Sequence, residues 1–215
     1  MIITKENAII LLNKAAIEYN TNLVGNNVLF LAIKNNNYFF IETAFIPGNF
    51  LHLSGVESSL DATKFLDAAF DNRLSINDIG FKKDGTTELK LSVLLNLMNI
   101  HKIAKMIGDY DFSGRHLIAD KLAGTTASVM GFIKDNDYFY PSSVLKENLC
   151  NIAIKPYSRI LATFIKSQKE EKYKQLSYVI KDRLLITEKA LKIIENKVDF
   201  KNLSASFEIP VCLKI

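Results

Sequence analysis

The chain has 215 residues, 48% of them hydrophobic, enough to bury a substantial core and expected to form one large domain. Its 27 basic and 23 acidic residues leave a net charge of +4, which permits a polyanionic partner without demanding one. No uninterrupted apolar run reaches the ~18 residues of a membrane span, and the first residues carry Glu6, Lys14 and Glu18 at helical spacing instead of a signal-peptide block, so the expectation is a cytoplasmic protein with no membrane partner.

Residues 5–20 place Ile9, Leu12, Ala16 and Tyr19 on one face, the pattern of a core-docked helix. VLFLAIK (28–34) and YFFIETAF (38–45) flank an Asn35-Asn36-Asn37 turn that tolerates positive φ, which predicts an antiparallel hairpin closed by Pro47-Gly48. FLHLSGV (50–56) follows and reads as a strand or turn holding one of three histidines. LDATKFLDAAFDNRL (60–74) is a helix candidate capped by Ser59 or Asp61. After a polar segment, ELKLSVLLNLMNIHKIAKMI (88–107) predicts one longer helix, apolar on most of its circumference, with His101 inside it.

From residue 108 short runs broken by Gly, Asn and Asp predict a meander of antiparallel strands. Within it ILATFIK and QLSYVIK are strands joined by the charged tract SQKEEKYK. ITEKALKIIENKVD (186–199) predicts an amphipathic helix, and residues 204–215 a final strand or tail. The sum is α+β, helices first and then an antiparallel β-sheet. No internal repeat or linker divides residues 1–215.

Signatures of phosphate loops, zinc proteases, nucleophile elbows and Asp-rich metal loops are absent. Three scattered histidines and no clustered carboxylates at ligand spacing give no basis for a metal site. Cys150 and Cys212 lack metal-ligand spacing and are expected to be free thiols. RNA, however, carries its own nucleophile. Its 2′-OH attacks the adjacent phosphorus once one group removes the proton, another protonates the leaving oxygen and cations stabilise the phosphorane. That chemistry needs no cofactor.

Three blocks bear on it: Phe50, His52, Leu53, Ser54 and Gly55; then Tyr138 and Pro141; then Arg159 through Lys166 with Lys172 and Tyr173. In order and spacing they resemble the prophage-encoded branch of the barnase–EndoU–colicin–RelE-like ribonucleases, small metal-independent enzymes whose α+β fold has N-terminal helices followed by a curved antiparallel β-sheet. The resemblance covers about residues 25–183 and leaves 184–215 as a C-terminal extension. It implies a toxin-like endoribonuclease acting on RNA and leaving a 2′,3′-cyclic phosphate, with a proteinaceous inhibitor as a further partner. The alternative is a catalytically inactive domain of the same fold that binds nucleic acid or protein.

On that resemblance His52 is the general acid or base, since imidazole exchanges protons near neutrality, and Arg159 is the phosphate stabiliser. A buried ion pair would explain Arg159 as well. Strict alternation puts Arg159, Leu161, Thr163 and Ile165 on one face, so Thr163 joins Arg159, while Lys166 points the other way. His116, beside Arg115, is the second histidine candidate. Lys155, Ser158, Lys172, Tyr173 and Tyr178 are the expected RNA contacts, although the lysines also suit a solvated hairpin and the tyrosines a half-buried sheet. Ser54 and Gly55 are expected to shape a turn.

Overall fold

The computed structural model describes residues 3–111 and 117–203. Helix α1 (Lys5–Asn22) starts at Thr4, whose side chain accepts the Asn7 N–H, and buries Leu12, Ala16 and Tyr19. Strands β1 (Asn26–Lys34) and β2 (Asn37–Ala44) form the expected hairpin, and Asn35 and Asn36 adopt φ of 49° and 62° at its turn. Asparagine tolerates this left-handed geometry better than most residues.

The segment read as strand or turn is instead a short helix, α2 (Asn49–Ser54). Phe50 and Leu53, three residues apart, both face the core, and the Phe50 ring lies 5.4 Å from Tyr19 and 6.0 Å from Phe65. Apolar residues at i and i+3 anchor one helical face, which leaves His52 on the opposite, solvent side. After β3 (Glu57–Ser58), α3 (Ala62–Phe70) begins at Asp61, whose side chain accepts the Lys64 N–H. Strand β4 (Ile79–Gly80) pairs with β3 in a small separate sheet.

The predicted helix over 88–107 is three elements: α4 (Thr86–Leu97), α5 (Ile100–Ile103) and β5 (Met106–Asp109). Asn99 leaves helical geometry and Ala104 turns extended, so the chain enters the sheet where periodicity alone continued the helix. Strands β6 (Lys121–Gly124), β7 (Val129–Asp135) and β8 (Tyr138–Leu145) complete the meander, and a short helix, α6 (Leu149–Ile152), occupies what read as a strand. The late hairpin is β9 (Ser158–Ser167) with β10 (Gln175–Val179). Helix α7 (Glu188–Lys192) is shorter than the 186–199 expected, because the chain then turns to bridge Val198 to Tyr173.

The fold is α+β, with an eight-stranded, mainly antiparallel sheet in the order β1-β2-β8-β7-β6-β5-β9-β10. Strand β9 also pairs with β1, and β2 meets β8 through a single parallel bridge, so the sheet curls back on itself. Helices α1 to α5 pack on one face in the main core with Phe30, Phe132, Ile160 and Ile165. The other face carries a second cluster around Leu29, Leu31, Leu161 and Phe164, covered by Ile186, Ala190 and Ile194 of the C-terminal segment. A smaller cluster beside α6 holds Tyr110, Leu122 and Leu149.

A β-bulge decides which residues share a face of β9. Leu31 pairs with Ala162 but Ala32 with Ile160, so Leu161 is the extra residue. Beyond it alternation is shifted by one. Thr163 lies opposite Phe30 on the helical side, whereas Arg159 lies opposite Ile33 on the other. The expected grouping of Arg159 with Thr163 is therefore corrected, and Lys166 falls on Arg159's face, its Nζ 5.0 Å from the Tyr173 ring centroid.

Candidate active site

A cleft of 1050 Å³ opens between α2, β3 and the start of α4 on one side and the β7–β8 hairpin on the other. That is the upper end of small-ligand pockets and suits a length of polymer. One wall brings His52, Glu57, Ser58, Lys82 and Lys90, the other Ile118, Ile133, Tyr140, Pro141 and Ser142. That second wall also carries Asp135 and Ser143, so it joins apolar and aromatic faces to a second carboxylate.

Local sequence explains how the charged wall is built. Helix α2 ends at Gly55, which has φ +72°. Ser54 Oγ donates to Leu51 O at 2.7 Å and accepts the Val56 N–H, so these two residues do shape the turn. Thr87 Oγ1 donates to Gly55 O at 2.8 Å and itself accepts the Lys82 N–H, which ties the turn to the start of α4. The Lys90 stem lies directly over Gly55, where a β-carbon would collide with Lys90 Cδ. Its Nζ donates to His52 O at 3.2 Å.

Lys90 is half-buried, and burial, with the charge of Lys82 second, holds its ammonium below the usual lysine range; Asp84 pulls the other way. A cation carried partly out of water gains more from an incoming anion than one fully hydrated. His52 is exposed beside it. The cleft therefore presents two cations, an imidazole, the Glu57 and Asp135 carboxylates and the Tyr140 phenol to one volume, a set able to bind a phosphodiester and exchange protons around it.

The remaining expected site residues lie elsewhere. Arg159 is exposed on β9, across the sheet from the helical layer and outside the cleft. Thr163 is fully buried and its Oγ1 has no hydrogen-bond partner, so it cannot touch a substrate. Ser158 is buried, Lys155 exposed and Lys172 half-buried, none of them in the cleft. Tyr173 is fully buried, and its hydroxyl donates to Glu42 Oε1 at 3.0 Å while Lys197 Nζ holds Oε2 at 2.8 Å. Burial and that carboxylate push the Tyr173 phenol far up, and it has no face free for a base. Tyr178 is half-buried beneath Lys105. His116 and Arg115 fall outside the described residues.

Sequence reasoning missed Lys82, Lys90 and Glu57. One signal was present: Lys90 is the single cation of α4 and stands between Leu89 and Leu91.

Residues of two of the quoted blocks, Leu51, His52 and Gly55 of the first and Tyr140 and Pro141 of the second, meet at this cleft. The family model for phage-Barnase-EndoU-ColicinE5/D-RelE like nuclease 4 matches residues 11–182. The chain belongs to that nuclease family. No curated protein and no solved structure matches it. The match takes in the whole cleft and stops before the segment that covers the far face of the sheet. Among the described residues no helix is long and apolar enough to cross a membrane, and no group of three or more His, Cys, Asp or Glu side chains is placed to hold a metal ion.

Proposed function

We propose that the chain is an endoribonuclease that cuts one RNA strand in the His52 cleft, using side chains in place of a metal. The observation that carries the reading is the convergence of His52, Glu57, Lys82 and Lys90 on one cleft of a nuclease-family fold. In-line attack sets the entering 2′ oxygen and the leaving 5′ oxygen on opposite sides of phosphorus, so two groups must exchange protons. His52 performs one transfer and Glu57 the other. Lys90 and Lys82 face the non-bridging oxygens and stabilise the charge that grows on them in the phosphorane. The P–O5′ bond breaks as the 2′ oxygen bonds to phosphorus, leaving a 2′,3′-cyclic phosphate and a 5′-OH.

The opposite wall supports a single-stranded substrate. Tyr140, Ile133 and Ile118 offer faces for unstacked bases, which a duplex keeps inside its stack. Such an enzyme would need a proteinaceous inhibitor or a restricted target in the cell that makes it. The test is cleavage of a single-stranded RNA in EDTA by wild type, His52→Ala and Lys90→Ala. Loss in both variants with folding intact supports the reading. Undiminished cutting by His52→Ala would move the chemistry elsewhere.

A further inference from the structure

The β7–β8 hairpin sets three cleft residues on one face. Ile133 stands directly opposite Tyr140 across the two strands, and Asp135 follows Ile133 two positions along, so alternation turns it the same way. Ile133 is 37% exposed and Tyr140 half-buried, which leaves an apolar and aromatic platform open to the cleft. Two residues of strand rise, about 7 Å, separate Asp135 from Ile133, so a nucleobase laid on the platform brings its edge to the carboxylate. The polar groups of this wall are acceptors. Asp135 makes no ion pair among the described residues, and its Oδ1 accepts the exposed Asn136 side-chain amide at 3.0 Å. Ser142 Oγ donates its proton to Ile118 O at 2.9 Å and keeps only lone pairs. The cations stand on the facing wall, at Lys82 and Lys90, so a strand that gives them its phosphate turns its base toward Asp135. A carboxylate met by an anionic strand costs energy unless the base offers it donors.

We propose that this wall is a guanine subsite, with Tyr140 and Ile133 against the face of the base and Asp135 accepting from its N1–H and N2–H groups. The inference rests on the ribonuclease reading and adds to it the identity of a base beside the cut. Guanine alone among the four bases carries two adjacent N–H donors on its Watson–Crick edge, so both carboxylate oxygens are satisfied in parallel. Each oxygen accepts more than once, so Oδ1 also keeps the Asn136 amide. Adenine and cytosine offer one amino group beside a ring nitrogen that only accepts, and uracil one N–H between two carbonyls. Each of these sets a lone pair against the carboxylate, and a buried mismatch of that kind is what lets a polar site reject the wrong partner.

The experiment gives the full chain a pool of single-stranded RNA of random sequence and reads the cut positions by sequencing the product ends. Wild type is compared with Asp135→Asn and Tyr140→Ala, and a melting curve for each checks the fold. The expected wild-type result is guanine at one fixed position relative to the cut, favoured over the other bases by about tenfold to a hundredfold. Asp135→Asn, which offers one donor and one acceptor where the carboxylate offered two acceptors, should bring that preference close to parity. Tyr140→Ala should lower cutting by about tenfold at every base and keep their order, since every base has a face to stack. Wild-type cutting without a base preference, or a guanine preference that Asp135→Asn retains, would overturn the subsite and leave the cleft reading standing. Preference for another base, lost in Asp135→Asn, would overturn the guanine assignment. A wild-type chain that cuts no RNA would overturn the cleft reading and the subsite with it.

Discussion

Gly55 is the position where fold and proposed chemistry are most tightly joined, and Gly55→Ala tests that junction. Its φ of +72° lies in the left-handed region, where a residue with a β-carbon loses about 1–2 kcal/mol. The new methyl also meets Lys90 Cδ, so the lysine stem must shift and its bond to His52 O is lost, at a further cost of about 0.5–1.5 kcal/mol. The sum, about 1.5–3.5 kcal/mol, lowers Tm by about 3–14 °C for a chain of this size. Urea unfolding of Gly55→Ala, Lys90→Ala and the double variant separates the two contributions. Lys90→Ala removes the collision but not the backbone strain, so the double variant should be more stable than the two single losses predict. Cleavage by Gly55→Ala at permissive temperature should fall as well, since Lys90 is displaced. Strict additivity together with undiminished cleavage would refute the reasoning.

Other expectations follow from buried groups. His101 is buried, and burial first, then the charge of Lys102, lowers its pKa from 6.5 to about 4, with Glu18 opposing. The folded chain therefore keeps the ring neutral while the unfolded chain binds a proton, so stability is full above about pH 6.5 and falls toward pH 4 by about 3 kcal/mol. Urea midpoints across that range should flatten in His101→Leu; an equally steep fall in the variant would place the acid sensitivity elsewhere. Thr163→Val replaces a buried hydroxyl that has no partner with a methyl of similar size and should be neutral or stabilising by up to about 2 kcal/mol, with cleavage unchanged. Loss of cleavage there would restore Thr163 to the chemistry.

Much of the fold is legible where local chemistry decides it. The Asn35-Asn36 turn, the Asp61 cap and the charged tract between β9 and β10 each act within a few residues, and each stands where the sequence places it. Short elements fare worse. Phe50-Leu-His-Leu spans barely one helical turn, too few residues for a period of 3.6 to be told from alternation, and only the packing of Phe50 on Tyr19 and Phe65 makes it a helix. The break at Asn99 leaves no strong mark, since Ile103 to Ile107 suits a helix as well as a strand.

The site divides in the same way. His52 stands out through the resemblance of its block, since a histidine between two leucines taken alone reads as structural, and it does line the cleft. Arg159 and Thr163 were grouped by strict alternation, which one extra residue at Leu161 reverses. Tyr173 resembles an exposed hairpin tyrosine until Glu42 and Lys197, both distant in sequence, enclose its hydroxyl. Lys90 reaches His52 across 38 positions, a pairing that no local pattern encodes.

The central claim is that the His52 cleft cuts RNA through its own side chains, and the identity of the product ends tests it most directly. Purified chain is incubated with a single-stranded RNA in EDTA, beside His52→Ala, and the new 3′ ends are analysed. The account predicts 2′,3′-cyclic phosphate from the wild type and none from the variant. Ends bearing a 3′-OH, or cyclic phosphate formed equally by His52→Ala, would contradict it.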